Sequence, residues 1–190
     1  MVRLHAHLGY YKSLSVYKYP LERATHPNFT IKYNYPDFYR MSSQPADQLF
    51  VVGIGASAGG LQALEEFFTY LPENLNAAFV VVQHLSPNHP SLMSELLQRQ
   101  TKMLVQSIQN GLVLEPHTVY VLPPGKNLSL ENQTLKLSEK PGGLSYPINE
   151  FFQSIATNYS AEHTIGILLS GTGNDGTQGL QAMSRLGELP

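Results

Sequence analysis

Three stretches of the chain are apolar at almost every position, and each opens into small or polar residues. These runs cover residues 49–54, 77–82 and 164–169. Unbroken apolar runs of this length are typical of strands that are covered on both faces of a parallel sheet. Around the runs, apolar residues recur at the three- and four-residue intervals of amphipathic helices. The helical intervals cover residues 61–71, 91–100, 149–159 and 177–186. The pattern predicts an α/β fold with a doubly wound, mostly parallel sheet and helices on both faces.

Shorter apolar patterns complete the predicted sheet. Residues 103–108 and 118–122 are typical of short strands, and the alternation on either side of residues 131–133 predicts a small hairpin. The chain stops at Pro190, directly after the last predicted helix, where an α/β fold normally returns to another strand. We therefore expect the sheet to lack its last strand and to leave an open edge beside residues 164–169.

The first 48 residues differ from the rest of the chain. Seven of the 11 tyrosines lie there without helical or strand periodicity, and prolines interrupt the segment at short intervals. Six basic residues against three acidic ones give residues 1–48 a charge of +3, whereas residues 49–190 hold 6 against 11 and carry −5. We predict an irregular or disordered, tyrosine-rich basic arm over residues 1–48 and a folded domain over residues 49–190. Such an arm is either a tether to an acidic partner or, more commonly, an extension without fixed structure.

The composition excludes several classes of protein. An acidic body lacks the basic face that a general nucleic-acid binder needs, so no nucleic-acid partner is expected. The chain has no cysteine, which excludes a disulfide scaffold, a thiolate zinc site and a cysteine nucleophile, and which fits a cytoplasmic protein. No apolar run approaches the ~18 residues of a membrane span. The histidines lack partner ligands at zinc spacing, and we expect neither a metal nor a cofactor.

Residues able to do chemistry follow the three apolar runs, and they are Ser57, His84 and Asp175. Ligands of an open parallel sheet bind beyond the carboxyl ends of its strands. These side chains are therefore expected together at the rim of the sheet that those carboxyl ends form. A serine hydroxyl is a weak nucleophile near neutral pH and needs a base, which in turn needs a carboxylate to orient it. The Gly-x-Ser-x-Gly pattern over residues 55–59 permits a sharp turn with backbone N–H groups free to face an oxyanion. The pattern indicates a serine hydrolase with a Ser-His-Asp triad.

Each of these residues also has a simpler interpretation. Ser57 and Asp175 are good N-terminal caps for the helices that follow them, and His84 is compatible with a surface loop. Nucleotide binding is a second functional alternative, because residues 53–58 and 171–176 match the Gly-x-Gly-x-x-Gly/Ala fingerprint. That fingerprint requires an acid at the end of the second strand, where this chain has glutamine and histidine. A non-catalytic module that binds a receptor or a nucleotide therefore stays as the alternative to hydrolysis.

The motifs at residues 53–60, 82–84 and 169–176 resemble those of the CheB-type protein-glutamate methylesterases. They are most similar to the version at the amino end of CheB–CheR fusion proteins. The likeness covers about residues 49–186. It implies a doubly wound α/β esterase that removes methyl groups from glutamate side chains of chemoreceptors, and some members also deamidate glutamine.

The resemblance also implies roles for individual residues and partners. It carries the triad over to Ser57, His84 and Asp175, in that chain order. The implied oxyanion and substrate-binding residues are Ala58, Gly59 and Thr172. Ala58 stands where free-standing members have threonine, and Thr172 where they have methionine, as in the fusion type. The implied partners are a methylated chemoreceptor, or a similar helical signalling protein, and a methyltransferase domain fused in a longer parent chain. The first 48 residues are too few for the upstream receiver domain of two-component methylesterases, so we expect no control by phosphorylation within this chain.

Overall fold

The computed structural model describes residues 49–56, 60–72, 75–83, 91–140, 145–169 and 175–184 with their side chains. It describes the backbone alone for residues 4–8, 11–16, 22–26, 29–33 and 185–186.

Over these residues the centre of the fold is a seven-stranded sheet. In sheet order its strands are β1 (Leu4–Leu8), β2 (Tyr11–Val16), β12 (Thr164–Leu169), β5 (Phe50–Ala56), β6 (Ala77–Gln83), β9 (Thr118–Val121) and β7 (Leu104–Ser107). The strands from β12 to β7 all run parallel, and β1 and β2 add an antiparallel hairpin at the β12 edge. The three apolar runs of the sequence therefore form three adjacent parallel strands.

Two smaller sheets and four helices complete the described elements. β3 (Glu22–His26) pairs with β4 (Phe29–Tyr33), and β11 (Thr134–Glu139) lies between β10 (Lys126–Glu131) and β8 (Leu112–Val113). The helices are α1 (Leu61–Thr69), α2 (Met93–Gln98), α3 (Pro147–Asn158) and α4 (Thr177–Leu186), with a 3₁₀ turn at Ala161–His163. β10 and β11 form the predicted hairpin, whose turn residues Asn132 and Gln133 have positive φ. No helix within the described ranges combines the length and the apolar character needed to cross a membrane.

Alternate residues of the central strands pack into two separate cores, one on each face of the sheet. Val52 of β5 lies in one core with Phe68 of α1. Its neighbour Val51 lies in the other core with Phe152 of α3. Successive side chains of a strand point to opposite faces, so an apolar run can serve both cores only if helices cover both faces. The arrangement confirms the predicted α/β fold.

The described residues before residue 34 contain more regular structure than the sequence predicts. β2 runs antiparallel to β12, with Val16 opposite Ile167 and Ser15 opposite Leu168. The edge expected to be open beside residues 164–169 is therefore covered, and β1–β4 differ from an irregular arm. The physical reason is that proline stops helices but can separate short strands, and Pro20 and Pro27 fall between β2, β3 and β4 rather than inside them. The division of the chain near residue 48 stays a prediction.

α3 and α4 approach each other closely because α4 has a glycine at the contact. A Cβ atom built on Gly179 would lie 2.6 Å from Cβ of Phe152 and 2.8 Å from the backbone oxygen of Asn149. The backbone oxygen of Asn149 cannot move away from an added Cβ atom as the end of a flexible side chain can. A side chain at this position would therefore have to push the two helices apart.

Replacing Gly179 by alanine is expected to destabilise the protein by about 1–3 kcal/mol through overpacking. At an exposed helix position the same substitution stabilises by up to ~1 kcal/mol, so the sign of the change tests the close contact. Urea unfolding followed by circular dichroism measures it. Gln181→Ala, at an exposed position of the same helix, is the control and should change the free energy of unfolding by less than about 0.5 kcal/mol. A more stable Gly179→Ala variant would contradict the contact.

The outer edge of β7 is covered by a side chain of the preceding helix. The Gln98 carboxamide donates from Nε2 to the backbone oxygen of Met103 at 3.0 Å and accepts the N–H of Val105 at Oε1, also at 3.0 Å. The same Nε2 also donates to the oxygen of Thr101 at 3.2 Å. Because α2 ends just before β7, its last side chain reaches the peptide groups on the side of β7 that faces away from β9.

Candidate active site

β12, β5 and β6 end at the same level of the sheet. Ala56, the last residue of β5, pairs with Leu169 at the end of β12 and with Gln83 at the end of β6. The next positions in the chain after β5 and β6 are those of Ser57 and His84. The predicted nucleophile and the predicted base therefore follow strands that end side by side, at the carboxyl rim where open α/β sheets bind ligands.

Asp175 is the predicted site residue that the structure describes. The other predicted residues lie outside the described residues, and they are Ser57, Ala58, Gly59, His84 and Thr172. Their roles stay predictions.

The carboxylate of Asp175 lies at the N-terminus of α3. Its Oδ2 accepts the N–H of Ile148 at 3.0 Å and its Oδ1 accepts the N–H of Asn149 at 2.9 Å. The residue is only 8% exposed. The first N–H groups of a helix have no partner within the helix, and the helix dipole favours negative charge there. Both amides belong to α3 and not to α4, the helix that follows Asp175, so these bonds join two separate parts of the chain.

The side chain of Asn149, in α3, accepts hydrogen bonds from the start of α4. Its Oδ1 accepts the N–H of Gly176 at 3.0 Å and the N–H of Gly179 at 2.9 Å, and the residue is 9% exposed. The sequence places Asn149 only within the predicted helix over residues 149–159. The available signal is an asparagine among the apolar residues at the start of the helix, where a buried carboxamide must find partners.

A second carboxylate lies close to Asp175. Oε2 of Glu150 accepts a hydrogen bond of 2.7 Å from Nδ2 of Asn127, whose Oδ1 accepts from the Ser145 hydroxyl at 3.1 Å. Partial burial raises the pKa of Glu150 above its ordinary value, and repulsion from Asp175 raises it further, while Lys140 opposes both. The negative charge of Asp175 therefore affects the rim beyond its own hydrogen bonds.

The raised pKa of Glu150 predicts the sign of a pH effect on stability. The folded protein holds this proton more tightly than the unfolded chain, so the group stabilises the fold below the ordinary pKa of 4.5, and this contribution is lost as pH rises through the folded-state pKa. Glu150→Gln cannot ionise but keeps an acceptor for Asn127. Its free energy of unfolding, relative to the parent, is expected to increase between about pH 4 and pH 7 in urea titrations. A constant or decreasing difference over this range would contradict the assignment.

The described residues contain no group of three or more histidine, cysteine, aspartate or glutamate side chains able to hold a metal ion.

Comparison with known proteins adds evidence from most of the chain. A family model described as CheB methylesterase matches residues 52–189. The chain is 36% identical over 150 residues to protein-glutamate methylesterase/protein-glutamine glutaminase 3 of Pseudomonas savastanoi pv. phaseolicola, covering 77% of this chain and 44% of that protein. It is 35% identical over 147 residues to protein-glutamate methylesterase/protein-glutamine glutaminase 2 of Methanosarcina acetivorans, covering 72% of this chain and 41% of that protein. The chain thus spans less than half the length of these curated relatives.

A solved structure shares the fold. The crystal structure of the Thermotoga maritima CheB methylesterase catalytic domain superposes with a TM-score of 0.65 at 28% sequence identity. The superposition covers 74% of this chain and 77% of that chain.

Proposed function

Because the chain belongs to the CheB methylesterase family, we propose that it is a protein-glutamate methylesterase that works as a serine hydrolase. Its proposed substrates are glutamate γ-methyl esters in a chemoreceptor or a similar helical signalling protein. The observation that carries the proposal is Asp175, a buried carboxylate held by two backbone amides. It follows a strand that ends in register with the strands before Ser57 and His84. The names of the relatives support the choice of ester.

The proposed reaction begins at the ester carbonyl. The Ser57 hydroxyl attacks the carbonyl carbon while His84 takes its proton. The bond to the methoxy oxygen then breaks, and His84 returns the proton so that methanol leaves. Water next attacks the glutamyl-serine ester, with His84 again accepting a proton and passing it to the Ser57 oxygen. The products are glutamate and the free enzyme.

The other proposed roles concern orientation and charge. Asp175 accepts a hydrogen bond from the His84 ring and holds it in the tautomer whose second nitrogen faces Ser57. Backbone N–H groups at Ala58, Gly59 and Thr172 would face the negative oxygen of the tetrahedral intermediate. Two amide donors hold Asp175 in place, which lowers the reorganisation needed when the imidazolium forms.

The proposal extends to a second reaction and to the setting in the cell. The relatives are also named protein-glutamine glutaminases. A glutamine side-chain amide would form the same glutamyl-serine ester and release ammonia in place of methanol. The resemblance to CheB–CheR fusions supports a cytoplasmic location and a methyltransferase domain fused in a longer parent chain, which would add the methyl group removed here.

Methanol release tests the proposed function directly. The chain is incubated with a chemoreceptor fragment that carries glutamate γ-methyl esters, and methanol is compared with the total released by alkaline hydrolysis. We expect time-dependent release that scales with protein concentration. A chain that releases no methanol but binds NAD or ATP at micromolar concentration in calorimetric titrations would favour the nucleotide-binding module and overturn the proposal.

A further inference from the structure

The starts of α3 and α4 are joined by hydrogen bonds in both directions. Asp175, just before α4, accepts two N–H groups of α3. Asn149, in the first turn of α3, accepts the N–H groups of Gly176 and Gly179. The two side chains lie 26 residues apart in the sequence. Each one therefore satisfies the free amides at the start of the other helix.

The hydrogen bond between the Gly176 N–H and Asn149 restrains the position of Asp175 directly. Gly176 is the next residue in the chain, so the N–H that Asn149 accepts belongs to the peptide bond that leaves Asp175. Gly176 has φ of +96°, and a Cβ atom there would lie 2.6 Å from Leu168 Cδ1 and 2.7 Å from Ile148 Cγ2. Packing and hydrogen bonding thus hold the same turn against α3.

We infer that Asn149 is a positioning residue for the hydrolytic site, and that it acts by fixing the turn that presents the Asp175 carboxylate. This inference rests on the proposed function. Without the Asn149 carboxamide, the amides of Gly176 and Gly179 lose their buried acceptor, and the Asp175 turn is held less firmly at the N-terminus of α3. A carboxylate displaced by about 1 Å orients its histidine partner poorly, which can cost up to about 10²-fold in rate. The proposed role of Asp175 is to orient the histidine in the transition state, so the loss is expected in kcat and not in KM.

Two substitutions at position 149 separate positioning from simple loss of packing. Asn149→Ala removes the acceptor and is expected to lower kcat for methanol release about 10–100-fold with KM nearly unchanged. Asn149→Asp keeps an acceptor oxygen of similar reach and should restore most of the lost kcat. Asn158→Ala, the same change at the far end of the same helix, is the matched control and should leave kcat unchanged. Its side chain donates to the backbone oxygen of Ser154 within the last turn.

A second measurement reports the Asp175 turn without any enzyme activity. The Ile148 N–H donates to Asp175 and not to Asn149, so its hydrogen exchange reports whether the carboxylate is still in place. We expect faster exchange at Ile148 in Asn149→Ala than in Asn158→Ala. If Asn149→Ala does not fold, Asn149→Ser, whose hydroxyl is a shorter acceptor, provides the same comparison.

The outcomes distinguish the inference from the proposed function. Wild-type activity that is lost in Ser57→Ala, together with unchanged kcat and unchanged Ile148 exchange in the position 149 variants, would overturn the inference alone. A wild-type protein without esterase activity, or a Ser57→Ala variant with full activity, would overturn the proposed function. In that case faster Ile148 exchange would still support the structural link between Asn149 and Asp175.

Discussion

Replacing Ser57 by alanine is expected to lower methanol release from a methylated receptor by about 10³-fold or more. The substitution removes the atom that would form the glutamyl-serine ester, so only binding and oxyanion stabilisation would remain. Residues 55–60 consist of small residues, and alanine fits this setting, so loss of folding is not expected to cause the loss of rate. Initial rates of methanol release at saturating substrate measure the effect on kcat.

Ser184→Ala is the control for the serine substitution. Its hydroxyl donates to the backbone oxygen of Gln181 near the end of α4, whereas Asp175 lies just before the start of that helix. Its kcat should equal that of the parent. A Ser57→Ala variant that releases methanol within tenfold of the parent rate would show that another group is the nucleophile, and the triad assignment would be wrong.

Replacing Asp175 by asparagine is expected to lower kcat by about 10⁴-fold, the scale of the same change in a serine-protease triad. Asparagine has the shape of aspartate but only one acceptor oxygen. Its NH₂ group would face either the N–H of Ile148 or the N–H of Asn149, both of which now donate to the carboxylate. The variant therefore loses one buried hydrogen bond and the charge that would stabilise an imidazolium. Steady-state kinetics should show the loss in kcat with a smaller effect on KM.

Glu150→Gln is the matched control, because it also exchanges a carboxylate for an amide and directly follows Asn149, whose N–H donates to Asp175. It is expected to keep kcat within a few-fold of the parent. Combining Ser57→Ala with Asp175→Asn should reduce the rate little below that of Ser57→Ala alone, since triad members act as a unit. If Asp175→Asn and Glu150→Gln lower kcat equally, the loss reflects charge at the rim in general and not a triad carboxylate.

The rim could be predicted from the sequence, whereas the contacts that hold Asp175 could not. Apolar runs ending at residues 54, 82 and 169 indicate buried parallel strands, and parallel strands present their carboxyl ends at one edge. The partners of the Asp175 carboxylate lie at the start of α3, more than 25 residues earlier. Such a pairing depends on how two helices pack side by side on one face of the sheet, and neither local propensity nor periodicity carries that information.

The antiparallel hairpin at the β12 edge could not be predicted for a different reason. Pairing between β2 and β12 uses backbone N–H and C=O groups, which every sequence offers. The prolines before residue 48 exclude helices, but they do not distinguish an irregular segment from short strands separated by turns.

The Gln98 carboxamide has a consequence for the behaviour of the protein at high concentration. It accepts the N–H of Val105 and donates to the oxygen of Met103, which is the bonding pattern that one residue of an added parallel strand would make on either side of Leu104. β7 is an edge strand with an exposed leucine, the kind of edge on which a second polypeptide can assemble into an aggregate. A second chain can extend the sheet here only after it displaces a side chain that already satisfies these groups. Gln98 therefore opposes the addition of a strand from a second molecule along β7.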